Sequence, residues 1–302
     1  MTGDVPQRPL RAAVMIIMVC MLFAITTLIA KALGTGYGGE PLHPFMISGG
    51  RFLFALIGLS IGAAILRPKI TKPDWKTHLL RSLSGWLGIT LIFAAMARMP
   101  VSDATAISFL NTAFTMVFAA VLLREKIGKF RWIAVGIAFC GAIVLLRPGA
   151  DVFQPVALIA LCAAVATGYE AIIVKRLSGR EAPMQILLIN NSIGVVIAGI
   201  AASFVWTMPS LVQWGMLAAI GSIMICVQAL FIQAMRNADA SFVMPFMYST
   251  LVFATLYDFW IYGVIPDQTS FIGAGIIIFG VLFLTWREAL AHRRQAKVDS
   301  PS

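Results

Sequence analysis

The chain has 302 residues, 60% hydrophobic and only 12% charged, with a formal net charge of +10. Soluble domains carry about 25% charged residues, and a single soluble core of this size cannot hide so much apolar side chain. The excess must face lipid. The basic residues sit in short clusters between long apolar runs, a pattern of membrane topology that argues against a nucleic-acid partner.

A bilayer core of about 30 Å needs roughly 20 helical residues. Runs of that length predict spans over 12–33, 44–66, 78–96, 103–123 and 130–146, then 153–174, 183–205, 211–235, 240–262 and 269–286. The first run follows Arg8 and Arg11, continues to Lys31, and has no small-residue cleavage site, so it reads as a membrane helix and not as a signal peptide. The loops are short, which makes neighbouring helices antiparallel.

Lys and Arg orient the bundle. With the N-terminus in the cytoplasm, that side collects Arg8 and Arg11, a run from Arg67 to Arg81, and a run from Arg124 to Arg131. It also collects Lys175, Arg176, Arg180 and Arg236, and a tail with Arg287, Arg293, Arg294 and Lys297. Only Lys31, Arg98 and Arg147 fall opposite, and Arg51 falls inside a span. The expectation is a multi-pass bacterial inner-membrane protein with both termini cytoplasmic. Cys20, Cys140, Cys162 and Cys226 lie within apolar runs without paired spacing and read as buried thiols. His43, His78 and His292 are scattered, so no metal or cofactor is expected.

Sliding the chain along itself brings Pro44 onto Pro183, Trp75 onto Trp214, and Ala95-Met96 onto Ala234-Met235. The same shift brings Gly136 onto Gly275 and Gly141 onto Gly280. Five helices is an odd number, so the second copy enters the membrane from the other face. The fold class is therefore all-α, ten transmembrane helices as two inverted five-helix repeats, the architecture associated with alternating access. Residues 1–11 form a cytoplasmic N-terminus, 12–149 and 150–288 the repeats, and 289–302 a basic tail.

The segment MPVSDATAISFLNTAFTMVFAAVLLREKIGKFRWIAVGIAFCGAIVLLRP over residues 99–148, with its counterpart over 240–288, resembles the EamA-type family of the drug/metabolite transporter superfamily. That resemblance covers nearly the whole chain. It implies a small-molecule cargo: amino acids and their derivatives first, with S-adenosylmethionine, riboflavin and other vitamin- or nucleoside-like compounds as the alternative. Family members often carry a proline midway along the fourth and ninth helices. Pro245 occupies that place in the second half and marks a hinge, whereas the first half reads Asn111-Thr112. The second half has Gly263-Val264 where Glu125 stands in the first.

Polar groups in a membrane helix point into the bundle or a wet cavity. Arg51 in the second span and Glu170 in the sixth are candidates for binding a carboxylate and an amine, or for structural pairing; Glu170 is also a candidate proton carrier. Asn111, Thr112 and Thr115, with Tyr248, Ser249 and Thr250 at similar depth in the other repeat, are candidate cavity walls. Trp86, with Ser82 and Ser84, and Asn190, with Asn191, complete the candidate lining, with helix–helix hydrogen bonding as the alternative for each. Asp258 reads as a solvated rim charge. Gly136, Gly141, Gly275 and Gly280 are expected to pack helices closely, within the fold or at a homodimer face. Membrane lipid is the remaining expected partner.

Other classes fit less well. No GxxxxGK[ST] motif supports direct ATP coupling, and an embedded enzyme needs paired His, Asp or Glu facing one cavity. A drug/proton antiporter of the small-multidrug type depends on a carboxylate in its first helix, and residues 12–33 hold none. No ring of charges or filter motif suggests a channel.

Overall fold

The computed structural model describes residues 8–68, 70–96, 101–147, 156–263 and 268–298. The first half contains α1 (Pro9–Gly34), α2 (Pro44–Leu66), α3 (Trp75–Met96), α4 (Val101–Ser108), α5 (Asn111–Leu122) and α6 (Lys129–Leu146). The second contains α7 (Ala157–Ser178), α8 (Pro183–Ser203), α9 (Leu211–Asn237) and α10 (Ala240–Val243). A 3-10 stretch over Met244–Tyr248, α11 (Ser249–Tyr262) and α12 (Gln268–Val298) complete it. In hydrocarbon every backbone polar group must be satisfied within the protein, which leaves helices as the only form for these runs. Proline opens α1, α2 and α8 within the first turn, where its missing N–H costs no hydrogen bond.

Among the described residues nine segments are long and apolar enough to cross a bilayer. The tenth predicted span is α3, made more polar by Lys76, His78, Arg81, Ser82 and Ser84. It nevertheless packs against α7 and α8, with His78, Arg81 and Ser82 buried. The membrane-protein fold expected from the sequence is therefore present, and much of the polarity of α3 has a reason: these three side chains look inward.

The repeat organises the packing. α3 lies on α7 as α9 lies on α1, and α6 lies on α12 between the halves. A Cβ at Gly141 would sit 2.8 Å from the Ile277 nitrogen and 2.9 Å from the Gly273 oxygen. A Cβ at Gly280 would sit 3.1 Å from the Ala138 nitrogen and 3.3 Å from the Ala134 oxygen. Each residue in the first pair of contacts maps onto its counterpart in the second by the 139-residue shift that also separates Phe109 from Tyr248. Close backbone approach is what small residues permit in lipid. Gly136 and Gly275 do not share this role: among the described residues nothing lies within 4 Å of a Cβ at either.

The fourth and ninth spans are both broken. The fourth interrupts at Phe109-Leu110, between α4 and α5, and the ninth at the 3-10 stretch containing Pro245. Pro245 lacks the N–H a continuing helix would use. The first half interrupts its span at similar depth without proline, over two turn residues instead of a 3-10 stretch.

At the end of the bundle where α1 begins, the repeats are locked together. Glu125 accepts from the backbone of Ala240 (3.0 Å) and Ser241 (3.2 Å) and from the Ser241 hydroxyl (2.7 Å), holding the start of α10. Arg131 pairs with Asp239 at 2.9 Å, and Lys175 donates to the carbonyls of Met235 and Ala238. Buried His78 pairs with Glu181 at 2.8 Å, and Gln185 joins Glu181 to Thr71. At the far end, Ser210 and Gln213 cap α9 and reach the carbonyls of Gly38 and Glu40. The cysteines correct the sequence reading: only Cys20 is buried, while Cys140, Cys162 and Cys226 lie on exposed helix faces, as an apolar side chain bordering lipid would.

Candidate functional site

A cavity of about 300 Å³ lies between the halves, at the small end of the range for ligand pockets. α2 contributes Phe45, Ser48, Arg51 and Phe52; α3 contributes Arg81, Ser82, Gly85 and Trp86; α7 contributes Thr167 and Glu170. Asn111 enters from the start of α5, Asn190 from α8, Met224 and Gln228 from α9, and Met244 and Met247 from the 3-10 stretch. The broken ninth span thus supplies part of the wall, and the first residue after the break in the fourth supplies another. The lining reaches Phe45 and Ala201, close to the far ends of α2 and α8, whereas the α1-start end carries the interlocked side chains described above.

Three charges face this space at different depths. Arg51 lies seven residues into α2, about 10 Å from the far end, and Arg81 six residues into α3, about 9 Å from the opposite end. Glu170 falls between them, about 12 Å from the end of α7. The Arg51 guanidinium lies 4.2 Å from the centre of the Phe52 ring, and one Arg81 nitrogen donates to the Ile186 carbonyl at 3.4 Å while its Nε has no partner among the described residues. Among the described residues, neither Arg51 nor Glu170 has an ion-pair partner within 4 Å or a hydrogen bond from its side chain. Lys175, a possible structural partner for Glu170, is committed to backbone carbonyls instead. Glu170 attracts both Arg51 and Arg81 through space, but no direct bond between them uses up their donors and acceptors, so the arrangement can take a charged ligand or water.

The cavity brings together Arg51, Trp86, Asn111, Glu170 and Asn190 of the residues expected from the sequence, together with Ser82. It does not include Thr112, Thr115, Tyr248, Ser249 or Thr250, all of which pack between helices. Thr112 donates to the Asn111 side chain (3.2 Å), Thr115 bonds the carbonyls of Asn111 and Gly168, and Tyr248 donates to the Phe109 carbonyl. Ser249 is buried, and the Thr250 hydroxyl is buried beside Cys20. Arg98, Val264 and the side chain of Asp258 lie outside the described residues.

Among the lining residues that the sequence analysis does not name as candidates are Arg81 and Gln228. Arg81 ends the cytoplasmic basic run in the sequence, yet it stands six residues inside α3. Gln228 is an amide within an apolar stretch of α9, a polar group in a membrane helix like Arg51.

Residues 10–147 and 154–286 each match the model of the EamA-like transporter family, one match to each repeat. The chain belongs to the EamA-like transporter family. It is 29% identical over 282 residues to an S-adenosylmethionine uptake transporter of Rickettsia bellii, covering 91% of this chain and 94% of that one. It is also 26% identical over 303 residues to a riboflavin transporter of Vibrio cholerae, covering 98% and 99%. A crystal structure with a TM-score of 0.76 and 18% identity covers 91% of this chain and 98% of its own, which shows the shared fold. The family and its relatives make this EamA-like chain a multi-pass membrane transporter of a small molecule; they point away from an enzyme.

Proposed function

We propose that this chain is a secondary transporter that carries an amino-acid-related metabolite across the bacterial inner membrane by alternating access. The supporting observation is the set of charges in one cavity, Arg51, Arg81 and Glu170, with Arg51 and Glu170 unpaired among the described residues. A guanidinium presents a fork of donors to a carboxylate, and Glu170 suits a ligand cation. Phe52, Trp86, Met224, Met244 and Met247 suit a ring-bearing or thioether body. S-adenosylmethionine combines a carboxylate, an ammonium, a sulfonium and a ring, and is the name-giving cargo of the Rickettsia relative. A flat, uncharged cargo of the riboflavin type is the second reading, favoured by the aromatic lining; it leaves the three charges unanswered.

In the orientation with both termini cytoplasmic, the interlocked end is the inner gate and the cavity faces outward, ready to load for uptake. Glu170 is the candidate site for a coupling proton. The test is counterflow in liposomes preloaded with unlabelled amino acids, S-adenosylmethionine or riboflavin, each against its labelled form. Saturable exchange of an amino-acid-related compound supports the reading. Exchange of riboflavin alone supports the second, and exchange of none by folded protein contradicts both.

A further inference from the structure

Gln228 is held in one orientation by a chain of bonds that starts outside the cavity. The buried Asn191 donates its Nδ2 to the Leu187 carbonyl at 2.8 Å, and a backbone carbonyl only accepts. Asn191 therefore turns its amide nitrogen toward Gln228, whose Oε1 accepts from it at 3.4 Å and from Asn190 Nδ2 at 3.3 Å. Ser82 supports the same arrangement by donating to Asn190 Oδ1 at 3.4 Å. With its oxygen committed on this side, Gln228 has its own N–H donors left over, and no protein partner takes them among the described residues. Asn111 repeats the pattern: Thr112 donates to its Oδ1 at 3.2 Å, leaving its Nδ2 uncommitted at the cavity wall.

We infer that Gln228 and Asn111 present amide donors to acceptor atoms on the body of the ligand, and that Asn191 is a positioning residue that keeps Gln228 turned this way. The inference rests on the proposed function and deepens it, since Arg51, Arg81 and Glu170 answer the charged head and the amides read a second moiety. Among the uncommitted amide and charged groups of the cavity, Glu170 alone is an acceptor. The ligand class that fits is therefore an amino acid whose side chain carries a ring with acceptor nitrogen or carbonyl oxygen atoms. Donors built to meet an acceptor discriminate against an analogue that lacks it, because they are then left unpaired.

The test uses two labelled probes with the same amino-acid head: S-adenosylmethionine, which carries the ring, and methionine, which does not. Equilibrium binding and counterflow are measured on wild type, Gln228→Met, Asn111→Leu and Asn191→Leu. Wild type is expected to favour the adenosyl probe at least tenfold. Each variant is expected to lose fivefold or more of that preference, with the affinity for methionine changed less than threefold. The ratio of the two affinities is the readout, because partial unfolding lowers both together and leaves it unmoved. Equal wild-type affinity for the two probes, or a preserved ratio in both Gln228→Met and Asn111→Leu, overturns the inference while leaving the transporter reading intact. A preserved ratio in Asn191→Leu alone overturns its positioning role. If folded wild type handles neither probe, the inference falls, and the transporter reading is then decided by the wider counterflow panel.

Discussion

The Tyr248 hydroxyl donates to the Phe109 carbonyl at 2.9 Å, and the two residues are 139 positions apart, the length of the internal repeat. Their rings stack at 5.2 Å. Equivalent positions of two inverted repeats meet only near the axis relating them, so this pair marks where the broken fourth and ninth spans touch. Tyr248→Phe keeps the ring and removes the donor, leaving a carbonyl at a helix break without that bond; the expected loss is about 1 kcal/mol. Tyr248→Ala also removes the buried ring and is expected to cost about 3–5 kcal/mol. Thermal or denaturant unfolding in detergent should separate the two; equal losses would mean that the hydrogen bond, and not the packing, holds the junction.

Gly85 leaves room for the Glu170 carboxylate, whose atoms lie 2.9–3.0 Å from where a Cβ would stand. Gly85→Ala displaces that charge without removing it. A three- to tenfold loss of affinity for a cationic cargo is expected, with little change in melting temperature. Unchanged binding would show that the carboxylate does not contact the cargo.

Glu125 satisfies three donors at the start of α10, and freeing such groups costs about 1–3 kcal/mol. Because these bonds join the two repeats, Glu125→Ala should populate the state open at that end. A single cysteine replacing Val174, in a chain otherwise without cysteine, is expected to react faster with an impermeant thiol reagent added from the α1-start side. An unaltered rate would mean that this cluster is not a gate.

Thr77 donates to Asp74 through both backbone and hydroxyl, at 3.2 and 2.6 Å, and these bonds hold the Asp74 carboxyl below its ordinary value of 3.8. A depressed folded value stabilises the protein above the ordinary one, and the benefit disappears as pH falls through the lower value. Asp74→Asn should therefore flatten the acid limb of a melting-temperature profile below about pH 4 and leave neutral pH less affected. An identical acid limb would assign acid sensitivity to other carboxylates.

Much of the architecture is legible in the sequence because membrane constraints are blunt. Length and apolarity mark the spans, and residues such as Gly141 and Gly280 reveal the repeat. Legibility fails where one residue type serves two purposes. Arg81 looks like a topology charge because it ends a basic run, yet helical rise carries it about 9 Å inside the bundle. Thr112, Thr115 and Tyr248 lie at the right depth for a cavity wall, but facing depends on rotation about the helix axis, and the breaks at Phe109 and Pro245 reset that rotation. The direction of the Gln228 amide is set by Asn190 and Asn191, on another helix, which its own sequence neighbourhood does not show.

In the proposed function Arg51, Arg81 and Glu170 hold the cargo's charged head. Saturation binding of labelled S-adenosylmethionine to purified wild type, Arg51→Ala, Arg81→Ala and Glu170→Gln tests it most directly. Losing a charge-assisted hydrogen bond costs about 1.5–3 kcal/mol, so each variant should bind roughly 10- to 100-fold more weakly while remaining folded. Wild-type affinity in all three variants would contradict the account.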